Sequence, residues 1–427
     1  MKMTIQEQVA KMKLDSSKMA ATSCEVRNNA LQAICNTLKQ HKEEIFAANL
    51  IDMDEAGKNA VPQNVQKRLK FNTEKLDDVC KGIQNLITLP DPLNKIQLSR
   101  ELDEGLTLYR QTCPIGVIGI IFEARPDALI QISCLCIKSG NCAILKGGSE
   151  TKHTNKTIFD LIYKAAVEAG LPEGSLFQAQ QRDEINELLA CHKSVDLLIP
   201  RGSNQFVQYI MNNTKIPVMG HADGICHIYV DKEYDINVAI PVILDSKTQY
   251  TAACNAVETL LVHKDAVESL MPALQKAFVE NQVTLKATSE IQNLVSCEEA
   301  TEEDFATEYL DKIISAKTVA DMDEAIEHIN RYGSHHTDAI ITTSDQAAEK
   351  FMSLVDSAGV YCNCSTRFAD GYRYGFGAEV GISTSKLHAR GPVGLDGLVT
   401  YKYKLYGKGH IVGDYANGSK EFHFKDL

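Results

Sequence analysis

Apolar residues among the first 88 positions recur at helical spacing, as Val26, Ala30, Leu31, Ile34 and Leu38 do. Intervals of three and four place them on one stripe of a helix, so this region is expected to be mainly helical. Pro90-Asp91-Pro92 ends it. Residues 97–112 (QLSRELDEGLTLYRQT) change to polar alternation, which predicts two strands around a turn at 103–105 with glycine in the turn. From Ile115 the run IGVIGIIF has no polar side chain and reads as a fully buried strand. A helix follows from Pro126, a residue suited to a first helical position. The apolar stretch 142–146 is the next strand, and its helix, 149–169, is stopped by Gly170 and Pro172. Strands at 176–177, 195–200, 217–219 and 226–230 alternate with helices near 183–190 and from Gly202-Ser203. Strands alternating with helices imply a parallel, doubly wound α/β sheet.

After about residue 240 a second α/β unit is expected. Its strands are read at 257–262, 313–315, 339–343 and 360–362, and its helices at 264–280, 321–331 and 345–355. The acidic stretch 287–309 reads as a surface insertion. Residues 396–427 mix aromatics with glycine without helical periodicity, and read as a strand and tail for pairing with another subunit. The expected organisation is therefore residues 1–240, carrying a strand arm at about 97–112, then 241–395, then the tail.

A chain of 427 residues exceeds one small core, which agrees with more than one unit. A net charge of −12 argues against a nucleic-acid partner, which requires clustered cations. No stretch has the composition of a secretory leader or the length of a membrane span. Thirteen cysteines, an odd number at irregular spacing, read as reduced thiols of a cytoplasmic protein. No C-x-x-C occurs, and the C-x-C pairs Cys134/Cys136 and Cys362/Cys364 lack a second pair at zinc spacing, so no metal is expected.

No G-x-G-x-x-G follows a strand, and Gly375 to Gly381 has the wrong spacing for one. At Ile199-Pro-Arg-Gly202-Ser203-Asn204 a strand leads into a helix whose N-terminal amides could hold a pyrophosphate, or it is an ordinary capped turn. Lys146, at the end of a strand in Ile144-Leu-Lys146-Gly-Gly-Ser149-Glu150, could reach a ribose or a 2′-phosphate, or be a solvated loop lysine. Cys254 sits among small and polar residues in Gln249-Tyr-Thr-Ala-Ala-Cys254-Asn255-Ala256. A thiolate there could attack a carbonyl, although one of thirteen cysteines must fall in some loop.

Together these segments resemble the aldehyde dehydrogenase superfamily in order and spacing: the lysine strand 144–150, the helix start Gly202-Ser203, Cys254 at the nucleophile position, and Asp323-Glu-Ala-Ile326 through Tyr332-Gly333. Ile121-Phe-Glu-Ala-Arg125-Pro126-Asp127, Cys254-Asn255-Ala-x-Glu258-Thr, Asn363-x-Ser365-Thr366-Arg367-Phe368 and the stretch from Phe376 to Pro392 read like the γ-glutamyl phosphate reductase family within it. The resemblance implies an NADP(H)-binding domain, a catalytic domain and a small β arm for homo-oligomerisation. It implies NADPH-dependent reduction of γ-glutamyl phosphate to glutamate 5-semialdehyde through a thioester on Cys254, on the way to proline. The acyl phosphate would come from a separate glutamate 5-kinase.

The backbone N–H of Cys254 and the side chain of Asn255 are then expected to stabilise the oxyanion. Lys146, Ser149, Glu150, Gly202, Ser203 and Glu308 are expected at the cofactor. Arg125, Arg367 and Arg390 suit a substrate with a carboxylate and a phosphate, since guanidinium matches both bidentately. His221 and His336 read as structural. Hydrolytic members carry a water-activating Glu in a Glu-Leu-Gly-Gly segment, and Gly220-His221-Ala-Asp223-Gly224-Ile-Cys226-His227 lacks it. That absence favours acyl-phosphate reduction over an NAD-dependent dehydrogenase making a free acid, and the retained Cys254 argues against a non-catalytic scaffold. No residue reads the 2′-phosphate that separates NADPH from NADH.

Overall fold

The computed structural model describes residues 4–123, 125–180, 184–220, 223–377 and 379–427. The chain forms two compact units, one of Met1–Met219 with Gly377–Gly381 and Val393–Leu427, the other of Gly220–Phe376 with Ile382–Pro392.

The first unit opens with the expected helices, Ile5–Ala21, Cys24–Gln40, Lys42–Lys58, Gln63–Leu69 and Thr73–Thr88. Thr4 and Glu7 close a capping box on the first, and the second buries Ala30, Leu31, Ile34 and Leu38 as its spacing predicts. The hairpin β1 (Ile96–Asp103) and β2 (Leu106–Pro114) turns at Gly105, whose φ of 75° favours glycine. Strands β3 (Val117–Phe122), β4 (Cys142–Gly147), β5 (Leu176–Ala179) and β6 (Leu197–Arg201) form a parallel sheet in the order β5-β4-β3-β6. The order reverses between β3 and β6, where such sheets take ligands at their carboxyl ends. Residues 217–219 do not form a strand and contribute one bridge, Leu198 to Val218.

The C-terminal segment belongs to this unit. Strand Val399–Tyr406 pairs antiparallel along β2, and Lys425–Asp426 pairs with β1. Buried Asn141 ties the arm in: its Oδ1 accepts from Gly116 N–H at 2.8 Å, and its Nδ2 donates to the Leu398 carbonyl at 2.8 Å.

The second unit is built on a seven-stranded parallel sheet. Its strands are β7 (Cys226–Val230), β8 (Val257–His263), β9 (Thr284–Ala287), β10 (Glu298–Glu299), β11 (Ile313–Val319), β12 (Thr337–Ile341) and β13 (Gly359–Cys362), in the order β10-β9-β11-β8-β7-β12-β13. Alternate residues of the central strands serve two cores. Ile228, Val230, Leu260 and Val262 pack on one face, while Tyr229, Leu261 and Ile340 meet Ile329 and Phe351 on the other. The unit therefore begins before β7 rather than at residue 241. Every residue of β7 is buried, and it pairs with β8 and β12 in the middle of this sheet. Residues 287–309 are likewise more than a surface insertion: Ala287, Ile291 and Phe305 are buried, and β10 extends the sheet.

All thirteen cysteines are free thiols. Among the described residues no helix is long and apolar enough to cross a membrane.

Asn141→Ala orphans the Gly116 N–H and the Leu398 carbonyl together, which should destabilise the first unit by about 2–3 kcal/mol. Thermal unfolding followed by circular dichroism checks this, and an unchanged midpoint would show that neither group depends on Asn141.

Candidate active site

Cys254 is half-buried in the loop between helix Ile236–Thr248 and β8. Three neighbours fix its backbone. A Cβ on Gly224 would lie 2.1 Å from the Cys254 carbonyl oxygen and 2.5 Å from its Cα, so only glycine allows the approach. The Cys226 thiol donates to that same carbonyl at 3.3 Å. Next along, the Thr366 hydroxyl donates to the Asn255 carbonyl at 2.7 Å. The loop's carbonyls are thereby engaged, whereas the N–H groups of Cys254 and Asn255 have no hydrogen-bond partner among the described residues. Two unused amide donors beside a thiol are what a developing oxyanion needs.

The Asn255 side chain does not face outward as expected. It is 4% exposed, its Nδ2 donates to the Ala369 carbonyl at 2.9 Å, and its Oδ1 is buried without a partner. Its backbone N–H is the donor left available, which corrects the expected role of the amide side chain.

Arg367 joins this loop. Its Nε donates to Gln249 Oε1 at 2.9 Å, and its guanidinium lies 5.9 Å from the Tyr250 ring. Burial, and then neighbouring Arg373, lower its pKa from the ordinary guanidinium value, while Cys254 opposes the shift. It remains a cation within electrostatic range of Cys254. Arg390 is held elsewhere: its Nη2 donates to Asp356 Oδ1 at 3.1 Å and to the Asp356 carbonyl at 3.2 Å. Asp356 also pairs with Lys386. Asp356 thus answers two cations at once and holds the Arg390 guanidinium through one of its nitrogens.

Behind the loop lies a buried ion pair that sequence reasoning missed. Lys247 ends helix Ile236–Thr248, Glu258 sits on β8, and their Nζ and Oε2 are 2.6 Å apart with both side chains fully buried. Burial pushes the Glu258 carboxyl up to about 7, against the pull of Lys247, and Glu308 adds to the rise. Burial likewise lowers the Lys247 pKa. Half-buried Glu308 adjoins Tyr309, whose ring lies 5.9 Å from Lys247 Nζ and whose hydroxyl donates to Asp304. The available signal was a carboxylate inside the mostly apolar run of β8 (VETLLVH), since a buried charge requires a partner.

In the first unit, Lys146 is 5% exposed near the end of β4, and Nζ donates to the Gly147 carbonyl at 2.8 Å. Among the described residues it forms no ion pair, so an ammonium with unused donors lies at the strand's carboxyl end. Ser149 and Glu150 follow in a single turn, Ser149–Thr151. Ser203 caps helix Asn204–Asn212, but its N–H already donates to Glu123 Oε2 at 3.0 Å. That carboxylate also lies 2.5 Å from the position of a Cβ on Gly202. The anion seat at this helix start is thus filled by the chain's own Glu123. Arg125 is exposed and precedes the helix Pro126–Lys138.

His336 is buried and bonded to the Thr337 hydroxyl at 2.9 Å, as befits a structural histidine. His221 lies outside the described residues. Asp52, Glu55 and His153 come within metal-ligand reach of one another. The buried Asp52 carboxylate, however, is taken by the amides of His153 and Thr154 and by the Thr154 hydroxyl, as a cap on helix Lys152–Glu168.

Residues 2–302 match the model of the aldehyde dehydrogenase family. The γ-glutamyl phosphate reductase of Acetivibrio thermocellus is 56% identical over 98% of this chain and 97% of its own. That of Pelotomaculum thermopropionicum is 53% identical over 100% and 98%. The crystal structure of γ-glutamyl phosphate reductase from Thermotoga maritima superposes with a TM-score of 0.93 at 37% identity, covering 95% of this chain and 99% of that one. An engineered glycolyl-CoA reductase with bound NADP+ shares the fold, at 15% identity and a TM-score of 0.64.

Lys247→Met leaves the Glu258 carboxylate buried without its cation, a change that should cost about 3–5 kcal/mol near pH 8. Because the folded Glu258 pKa already lies above the ordinary 4.5, at about 7, the folded state keeps a proton that the unfolded chain releases. Its contribution to stability is lost as pH rises through that window and regained as pH falls. The difference in melting temperature from the parent should therefore shrink between about pH 8 and about pH 5.5. A pH-independent difference would mean that Lys247 does not neutralise Glu258.

Proposed function

The chain belongs to the aldehyde dehydrogenase family and, within it, to the γ-glutamyl phosphate reductases, and from that premise we propose that it reduces γ-glutamyl phosphate to glutamate 5-semialdehyde through a thioester on Cys254, with NADPH as the reductant. The observation that carries the reading is the Cys254 loop, with the Cys254 and Asn255 carbonyls engaged, their two amides without a partner among the described residues, and the Arg367 cation tethered beside it.

The Cys254 thiolate attacks the acyl carbonyl, the amides of Cys254 and Asn255 take the oxyanion, and the C–O bond to phosphate breaks to leave a thioester. Arg367 suits the departing phosphate or the substrate carboxylate, and Arg125 is the further candidate for the other anion. NADPH, when bound, supplies a hydride to the thioester carbon. The same two amides then hold the second oxyanion until its collapse returns the Cys254 thiolate and frees the aldehyde.

For the dinucleotide, Lys146 offers unused donors to a ribose, and Ser149, Glu150, Gly202, Ser203 and Glu308 complete the proposed set. A phosphate reaching Ser203 N–H must displace the Glu123 carboxylate. The first unit then serves as the cofactor domain and the second as the catalytic domain. We assign the product to the route from glutamate to proline, in the cytoplasm, with a separate glutamate 5-kinase supplying the substrate. The arm strand Val399–Tyr406, with Tyr401, Tyr403 and Leu405 exposed, supports assembly with further copies.

Cys254→Ser should fold normally and lose essentially all turnover, because an alkoxide at neutral pH is far rarer than a thiolate. Cys226 could not substitute: it is fully buried, and burial raises its thiol pKa well above the ordinary value. Lys146→Ala should raise the KM for the nicotinamide cofactor and leave that for the acyl substrate nearly unchanged. A selective loss of phosphate affinity would overturn the assignment of Lys146. In the reverse direction, semialdehyde with NADP+ should need phosphate, or arsenate, for sustained turnover, read as NADPH appearance against phosphate concentration. Rapid turnover to free glutamate without phosphate would replace this reading with a hydrolytic dehydrogenase.

A further inference from the structure

We propose that Cys226 is a positioning residue for the reaction at Cys254: its thiol, donating to the Cys254 carbonyl, fixes the peptide between Cys254 and Asn255 so that the Asn255 N–H stands ready for the oxyanion. The inference rests on the reading of Cys254 as the nucleophile that is acylated.

Cys226 is the first residue of β7 and is fully buried. A thiol kept protonated by burial can only donate here, and the Cys254 carbonyl oxygen lies 3.3 Å away. Its own position is rigid. Ile225 N–H donates to Ser334 Oγ at 2.8 Å, and His227 N–H donates to Asp338 Oδ1 at 2.7 Å. The other Asp338 oxygen accepts from the Ser357 hydroxyl. In a trans peptide the C=O and N–H point to opposite sides. A Cys254 carbonyl drawn towards Cys226 therefore turns the Asn255 N–H away from β7, and that N–H has no acceptor among the described residues. From the far side, Thr366 holds the Asn255 carbonyl at 2.7 Å, so the peptide is restrained before and after the amide that matters. Gly224 supplies only room; Cys226 supplies direction.

Three variants separate hydrogen bonding from packing. Cys226→Ala and Cys226→Ser have similar volumes, but only serine donates, whereas Cys226→Val fills the space without a donor. Two reactions of Cys254 are compared in the absence of cofactor. Acylation, read as the p-nitrophenolate burst from p-nitrophenyl acetate, passes through an oxyanion. Alkylation by iodoacetamide, a displacement at saturated carbon, does not.

Cys226→Ala and Cys226→Val should slow the burst by roughly 10- to 100-fold and leave alkylation unchanged, while Cys226→Ser recovers most of the burst. The proposal is overturned if valine rescues where serine does not, if both reactions slow together, or if the burst is indifferent to all three. Should alanine fail to fold, the order of serine and valine decides alone. A burst that survives Cys254→Ser overturns the nucleophile reading and this inference with it. A burst lost in Cys254→Ser but intact in Cys226→Ala overturns this inference alone.

Discussion

The backbone of Cys254 lies where it does because residue 224 has no side chain. A Cβ at that position would stand 2.1 Å from the Cys254 carbonyl oxygen, closer than packed atoms come. Close approach brings the carbonyl within reach of the Cys226 thiol, and the next carbonyl within reach of the Thr366 hydroxyl. The loop is thus anchored through these two acceptors, while the N–H groups of Cys254 and Asn255 have no partner among the described residues. A loop whose N–H groups closed a regular turn would have nothing to offer an oxyanion. Arg367 follows from the same anchoring, because Gln249 at the start of the loop holds its Nε.

Both units are built on parallel sheets, yet their candidate groups sit at opposite strand ends. In the first unit Lys146, Glu123 and Ser203 gather where β4, β3 and β6 finish, and helix N-termini there favour anions. In the second unit Cys226 begins β7 and Asp338 lies near the start of β12, and the Cys254 loop leads into β8. The helix that approaches this loop, Ile236–Thr248, arrives by its C-terminus, whose partial negative charge gives no help to a thiolate. Arg367 and the amides of Cys254 and Asn255, unpartnered among the described residues, are the groups placed to meet negative charge at Cys254.

What could be read from the chain was local. The hairpin about Gly105, the lysine at the end of β4 and the helix opening after Ser203 follow from residues adjacent in sequence. What escaped depends on distant partners. Asp356 answers Arg390, and Ala369 holds the Asn255 side chain across 114 positions, so no periodicity announces either contact. The identity of β7 as a strand was legible, but a buried strand does not declare which sheet it joins. In 287–309 the exposed Glu298, Glu299, Glu302 and Glu303 outweighed the spaced Ala287, Ile291 and Phe305, which the fold buries.

The carboxylates around Cys254 bear on how long a thioester formed there would last. Hydrolysis needs a base placed to take a proton from water. Glu258 follows Cys254 by four residues, yet it is fully buried, with Lys247 Nζ 2.6 Å from Oε2 and no exposed face for water. Asp370 accepts the amides of Tyr372 and Arg373 at 2.9 and 3.1 Å, and lies 3.8 Å from the Arg373 guanidinium. Lys247 holds Glu258 Oε2, and the two amides that follow hold Asp370 Oδ1. The Lys247–Glu258 pair braces the strand that follows the Cys254 loop. Were a thioester to form on Cys254, Glu258 would be too deeply buried to act on the water that could hydrolyse it.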